Sequence, residues 1–472
     1  VFTNTGRLPC RASWSVINQR VQVYDIAVRH NDPAMATRSR SVANRWVPVG
    51  VAIGVVALAA FVLYPGWYSF DSAALLLQAR TGEYTGLQPP LMALTWAQLL
   101  ALGAPPGALL VLHLMLACAG LCLLARSAAA PMAPLLPLLL LWPPFLVLFG
   151  HLWTDVALAA ALVLAAGLLA LARTQPQAAW IALLPLAYAV GVRHNAVAAA
   201  LPLLMLVFVR LPRWRGTAAA AALMAAVAGF VLYASAAGLT RLVVAEPRPA
   251  WTPTAIWDLS AVSVASGRIL LPAAMHGPGL SVDELRRLTN PDASLNLLVG
   301  SSSGINSGIV APLPAPLLRE LRQRWLGLPL GNPQAWLRHR AAVAWSLFGP
   351  QRRDKLDDLM IVPRIVTLAD NPPIVANATV ANAKLAGAVL RWRDQPWCTP
   401  ILYLLLALPA LGWALRRDFD GDRALVAGLV ASAWLYAVPL VFIVPSAEWR
   451  YALWPMLACA VALLLALRRQ RA

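Results

Sequence analysis

The sequence predicts an all-α polytopic membrane protein with about ten transmembrane helices, an interfacial helix after the first outer loop and a mainly helical extracytoplasmic domain. Three observations carry that reading. Of the 472 residues, 60% are hydrophobic and 12% charged, against roughly 45–50% and ~25% in soluble domains, which excludes a soluble globular enzyme. Apolar runs approaching the ~20 residues of a bilayer crossing recur along the chain. The net charge of +18 is spread rather than clustered. Basic residues fringe the apolar runs, as they do in multi-pass membrane proteins, and form no nucleic-acid surface.

Residues 1–46 form a basic tail. Residues 1–34 are polar, whereas Met35-Ala36-Thr37-Arg38-Ser39-Arg40 directly precedes the first apolar run. Met35 therefore reads as the translation start and 1–34 as upstream sequence. The N-terminal membrane module, 47–239, holds apolar runs near 47–65, 106–125, 131–149, 155–172, 177–192, 196–211 and 217–239. Between the first two, Leu91–Gly103 follows Pro89-Pro90 and spans about a dozen residues, which suits an interfacial or re-entrant helix.

Residues 240–398 read as the extracytoplasmic domain. Pro/Gly-rich stretches (246–253, 271–279 and 300–316) separate amphipathic runs at Asp283–Thr289, Leu317–Trp325 and Trp336–Phe348, with no strand alternation or internal repeat. Asn377-Ala378-Thr379 fits a glycosylation acceptor pattern that is common by chance. Residues 399–472 carry the last spans, near 399–415, 424–444 and 451–467. The five cysteines make no disulfide framework. Cys118 and Cys122 share a helix face, where inert apolar packing is the ordinary role and a soft metal the alternative.

Basic residues favour the cytoplasmic side. With both termini inside and Leu91–Gly103 not crossing, Arg126, Arg173, Arg210/Arg213/Arg215, Arg416/Arg417/Arg423 and Arg468/Arg469/Arg471 all fall inside. The same count puts Asp71, Gln88, Asp155, Arg193-His194, residues 240–398 and Glu448–Arg450 outside. A crossing at Leu91–Gly103 would turn the basic clusters outward.

Candidate chemistry follows from scarcity. Between residues 46 and 239 the only acids are Asp71, Glu83 and Asp155, and an acid at a membrane boundary is costly unless solvated, paired or used. Asp71 follows the aromatic stretch Tyr64-Pro65-Gly66-Trp67-Tyr68-Ser69-Phe70; its plain structural role would be a helix N-cap. Arg450 opens the last span, where a helix N-terminus also favours anions; its plain role would be pairing with Glu448 or snorkelling to lipid headgroups. Arg193-His194 is the other outer cation. His151 and His194 alone read as structural histidines. Trp67 and Trp153 could stack on a sugar ring.

The ordered set of a first span, Ser69-Phe70-Asp71-Ser72, a short helix Ala73–Thr81, Gln88-Pro89-Pro90-Leu91, Trp153-Thr154-Asp155 and Glu448-Trp449-Arg450-Tyr451 resembles the GT-C class of membrane glycosyltransferases. That class includes protein mannosyltransferases and lipid A aminoarabinose transferases. The resemblance covers most of 47–239 and the C-terminal spans; the large outer segment carries little of it. It implies a polyprenyl-phosphate-linked sugar donor, a glycan, lipid or protein acceptor, and a multi-pass position in a bacterial-type inner membrane. Many members have His or Lys where Gln88 stands, so a cationic phosphate contact is not expected there.

Sugar transfer from a lipid phosphate needs a base for the acceptor and cations for the leaving phosphate. Asp71 is the expected base, and Asp155 assists it or orients a substrate. Arg450, Tyr451, Arg193, His194, Gln88 and Glu448 are the expected substrate-binding residues. Two acids could also hold a divalent metal, Mg²⁺ or Mn²⁺; no cofactor is otherwise implied. A lipid or glycolipid transporter is the alternative reading. Transporters more often show paired repeats and polar mid-membrane helices, whereas here the polar residues gather at the outer rim. A structural or assembly protein is a third reading, and would tolerate Asp71→Ala.

Overall fold

The computed structural model describes residues 33–127, 133–211, 217–245, 248–299, 304–308, 311–350, 364–392, 395–416 and 421–467. Residues 1–32 of the segment read as upstream sequence, together with Arg213, Arg215, Arg417, Arg468, Arg469 and Arg471, lie outside them. The described chain is helical: α1 (Pro33–Leu63), α2 (Phe70–Thr81), α3 (Leu91–Ala101), α4 (Ala108–Ser127), α5 (Pro143–Phe149), α6 (Thr154–Leu171), α7 (Gln177–Ile181), α8 (Leu183–Val192), α9 (Ala196–Arg210) and α10 (Ala218–Val243) come first. After these come α11 (Thr252–Ser266), α12 (Val282–Leu288), α13 (Leu295–Val299), α14 (Ala315–Gly331), α15 (Pro333–Phe348), α16 (Val380–Trp392), α17 (Pro400–Ala414), α18 (Gly421–Ile443) and α19 (Leu453–Ala466). Among the described residues extended pairing is limited to isolated bridges.

Among the described residues six helical segments are long and apolar enough to cross a membrane: Trp46–Leu63, Ala108–Ser127, Thr154–Leu171, Ala218–Val243, Gly421–Ile443 and Trp449–Ala466. The other four apolar runs are shorter or interrupted. Residues 177–192 divide into α7 and α8, and α9 and α17 have 15 residues each. The run at 131–149 is not one α-helix: Ala133–Leu141 is a 3₁₀ helix containing Pro137, and Pro143-Pro144 opens α5. Proline removes the N–H and crowds the preceding turn, which disfavours a continuous α-helix through Pro137 and Pro143-Pro144.

That irregular stretch still covers the height of the bundle. α6 is the most enclosed span, and α4 lies against it: a Cβ on Gly120 would sit 2.4 Å from the Val163 carbonyl oxygen, and one on Gly167 would sit 2.5 Å from that of Gly120. Only small residues allow backbones so close. Both helices start at the same end, α4 beside Tyr64 and Pro65 and α6 beside the loop that those residues open. The chain must therefore climb back between them. A 3₁₀ helix rises ~2 Å per residue and an α-helix ~1.5 Å, so nine residues of one and seven of the other give about 28 Å, close to a bilayer core.

At the far end Arg173 pairs with Asp422, and Arg210 donates to the Gly421 carbonyl. Asp155 and Asp422 begin helices of 18 and 23 residues, so the two ends stand ~27–34 Å apart.

Helices α11 to α15 gather around α11, over the ends of α18 and α19. The three expected amphipathic runs form α12, α14 and α15. Their centre is polar and buried: Asp258 on α11 accepts from Trp325 Nε1 at 2.7 Å and pairs with Arg340 at 2.7 Å and His339 at 3.2 Å. Burial pushes the Asp258 carboxyl up, but the bonds to His339 and Arg340 outweigh that and hold it below its ordinary value. Arg340 also donates to the Val444 carbonyl at 3.2 Å, Thr254 to that of Ile443 at 2.8 Å, and Ala447 N–H to that of Asp292 at 2.7 Å. These bonds fix residues 443–447, the approach to Glu448 and Arg450. Asn377 is already engaged, its amide donating to the Phe61 and Val62 carbonyls at 3.0 Å, which caps the last turn of α1.

Candidate active site

Four separate segments bring their charged residues to one rim of the bundle. The first is the loop after α1. Gly66 has φ +103°, and a Cβ there would meet Leu152 at 3.3 Å, so this close pass suits glycine. Trp67 N–H then donates to the Gly150 carbonyl at 2.8 Å, and Tyr68 N–H to the Arg364 carbonyl at 3.0 Å. The loop is thus held between the turn before α6 and the segment after 364. Tyr68 returns the bond, accepting from Val366 N–H at 2.8 Å.

α2 begins earlier than the Ala73 expected for it. Ser69 is the N-cap, accepting from Ser72 N–H at 3.4 Å in a reciprocal capping box, and Trp153 Nε1 donates to the same Ser69 hydroxyl at 2.8 Å. Asp71 is therefore not the cap. It sits in the first turn with its carboxylate directed to Arg450, Oδ2 lying 2.6 Å from the guanidinium.

Asp155, in the first turn of α6, is the second centre. Its Oδ2 accepts from Arg193 at 2.6 Å and lies 3.8 Å from Arg450 Nε. Its side chain is 3% exposed against 33% for Asp71. The two carboxylates thus differ in access: Asp71 can meet a substrate, while Asp155 is enclosed by the arginines. Arg450 also pairs with Glu448, whose other oxygen accepts from Ser446 at 2.5 Å. Burial pushes the Glu448 carboxyl up; Arg450 opposes this, Asp71 adds to it, and the carboxyl stays above its ordinary value.

Aromatic rings complete the setting. The Tyr451 ring lies 4.9 Å from the Arg193 guanidinium carbon and 5.3 Å from that of Arg450. Trp153 lies 5.1 Å from Arg450 on one side and stacks on His151 at 3.9 Å. Such faces attract cations electrostatically. They hold the guanidiniums without consuming hydrogen-bond donors.

Asp71, Asp155, Arg193, Glu448, Arg450 and Tyr451, all singled out from the sequence, therefore meet. His194 does not join them. It turns to α10, with Nε2 at 3.4 Å from Thr240 Oγ1 and its ring against Tyr233. Gln88 stands in the turn before α3 with its amide oxygen buried, and no contact ties it to the arginines. Sequence reasoning missed Ser69 and Ser446, ordinary loop serines until their hydroxyls are placed. It also missed Tyr436, close enough to Arg193 and Asp155 to interact electrostatically.

Among the described residues no group of three His, Cys, Asp or Glu side chains is placed to hold a metal ion. Arg450 already touches Asp71, Asp155 and Glu448, and a divalent ion shared by these carboxylates would meet its positive charge. The residues present fit a cation supplied by the chain. Cys118, Cys122, Cys398 and Cys459 are buried and form no disulfide among the described residues. No family model matches this chain, and no curated protein or solved structure is detectably similar to it.

Proposed function

We propose that the protein is an integral membrane glycosyltransferase that moves a sugar from a polyprenyl-phosphate donor to an acceptor at the outer face of a bacterial-type inner membrane. One observation carries this reading: the scarce acids of the membrane module and the interfacial arginines, far apart in sequence, converge at one rim around a half-exposed carboxylate. A polar cluster at the rim, rather than at mid-membrane, favours surface chemistry over transport. The topology that accompanies the reading has ten spans, α3 lying in the interface and both termini in the cytoplasm. Arg173, Arg210 and Asp422, joined at the end opposite the site, support it.

In this mechanism an acceptor hydroxyl or amine approaches Asp71 from the aqueous side. Its proton passes to an Asp71 carboxylate oxygen as its oxygen or nitrogen bonds to C1 of the sugar. The bond from C1 to the phosphate oxygen breaks, and its electron pair stays on the lipid phosphate. Arg450 balances the charge gained by that leaving group, with the α19 entrance contributing its dipole. Asp155 positions Arg193 and Arg450. Trp153 and Tyr451, whose rings lie against the guanidiniums of Arg450 and Arg193, hold those cations in place rather than stacking on the sugar.

The test is purified Asp71→Asn protein with a lipid-linked donor, its folding checked by thermal melting. Because Ser69 caps α2, asparagine leaves the helix start intact. Loss of the base slows transfer by roughly 10²–10⁴-fold. Near-normal transfer by a folded variant removes Asp71 from the mechanism.

A further inference from the structure

The two arginines of the rim are held differently. Arg193 has Asp155, a carboxylate 3% exposed, at 2.6 Å, with Thr154 Oγ1 at 3.4 Å and the Tyr451 ring beside it. Arg450 pairs with Glu448 through Nε and with Asp71, 33% exposed, through Nη2 at 2.6 Å. Thus the residue assigned as base and the residue assigned as phosphate ligand occupy each other. A carboxylate oxygen engaged by a guanidinium is not open to an acceptor proton, and a guanidinium fork engaged by a carboxylate is not open to a phosphate. In the resting site this ion pair engages one oxygen of the base and the cation that the phosphate would use.

We propose that the donor phosphate displaces Asp71 from Arg450, so that donor binding itself releases the base and the acceptor is activated only after the donor is seated. This rests on the glycosyltransferase reading and adds an order to it. Charge balance supports the exchange: the phosphate replaces one anion at Arg450 with another, and Asp71 moves into the half-exposed space it already borders. Glu448 and Asp155 keep Arg450 in place throughout, since neither contact is needed by the phosphate. A seated donor with no acceptor exposes water to Asp71, so slow hydrolysis belongs to that state alone.

Direct binding of a polyprenyl phosphate lacking the sugar, measured in detergent micelles by fluorescence or calorimetry, tests the exchange without turnover. Asp71→Asn removes the competing charge while keeping the shape, so it binds the lipid phosphate more tightly than the wild type, by about tenfold for a half-buried pair. Arg450→Gln binds at least tenfold more weakly, and in the double variant Asp71→Asn with Arg450→Gln the gain disappears, because asparagine helps only through Arg450. Asp71→Ser supplies the same comparison if asparagine impairs folding. Equal or weaker binding by folded Asp71→Asn or Asp71→Ser overturns the displacement and leaves the glycosyltransferase reading standing. A wild-type protein that binds the polyprenyl phosphate no better than dodecyl phosphate overturns the donor assignment and the displacement together. Tighter binding by the Asp71 variants that persists in the double variants overturns the role given to Arg450.

Discussion

Asp155→Asn is the perturbation that separates a residue that organises the site from one that touches the substrate. Asp155 is 3% exposed, 2.6 Å from Arg193 and 3.8 Å from Arg450. Removing one partner of a buried pair typically costs about 3–5 kcal/mol, because the other charge stays buried and uncompensated. Here the lower end applies: Arg450 retains Asp71 and Glu448, and Arg193 retains Thr154 and the Tyr451 ring. A loss of about 3 kcal/mol in unfolding free energy is expected, with KM for the donor rising more than kcat falls, since misplaced arginines still stand near the phosphate. The assay is denaturation in detergent together with steady-state transfer at varied donor. A double-mutant cycle with Arg193→Gln isolates the pair, and the double variant should be destabilised by less than the sum of its parts. Strict additivity, or Asp155→Asn that melts and turns over like the wild type, refutes the clamp.

Two further outcomes follow from the same geometry. Asp258 is held below its ordinary carboxyl value in the folded protein, so its network contributes stability that is complete above the unfolded value of 3.8 and is lost as pH falls through the lower folded value. Melting temperatures of the wild type and Asp258→Asn, compared from pH 7 downward, should therefore converge below about pH 4; a constant gap contradicts the assignment. Reporter fusions after residues 215 and 300 should give signals from opposite sides of the membrane, and equal signals refute the ten-span topology.

Much of the site was legible because membranes make polar residues conspicuous. With only three acids between residues 46 and 239, Asp71 and Asp155 could be selected before anything was known of their contacts. Arg450 stood out by opening an apolar span. What the sequence did not disclose was pairing. Nothing in the spacing of residues 71, 155, 193 and 450 says that one guanidinium reaches three carboxylates, or that Arg193 goes to Asp155 while adjacent His194 faces α10. Neighbours in sequence separate here because the chain leaves α8 extended at Arg193. Which residue caps α2 stayed open in the sequence for a related reason. Ser69 and Asp71 both suit the role, and Arg450, supplied from the last span, competes for the carboxylate while Trp153 steadies the serine.

The run at 131–149 shows the opposite balance, a local rule that limits helix form without limiting the path. Proline count and apolarity together say only that a continuous α-helix is disfavoured and that water is unfavourable. The parallel packing of α4 on α6, drawn together at Gly120 and Gly167, then requires the chain to return along the bundle. The more extended 3₁₀ geometry supplies the length that 17 residues of α-helix, at about 25 Å, would not. The return delivers Gly150, His151 and Leu152 to the rim, where Gly150 and Leu152 pair with Trp67 and His151 stacks on Trp153. Trp153 in turn faces Arg450. A regular but shorter helix here would withdraw this turn from the loop that carries Asp71. The irregular return and the assembled charge cluster are therefore parts of one structural solution.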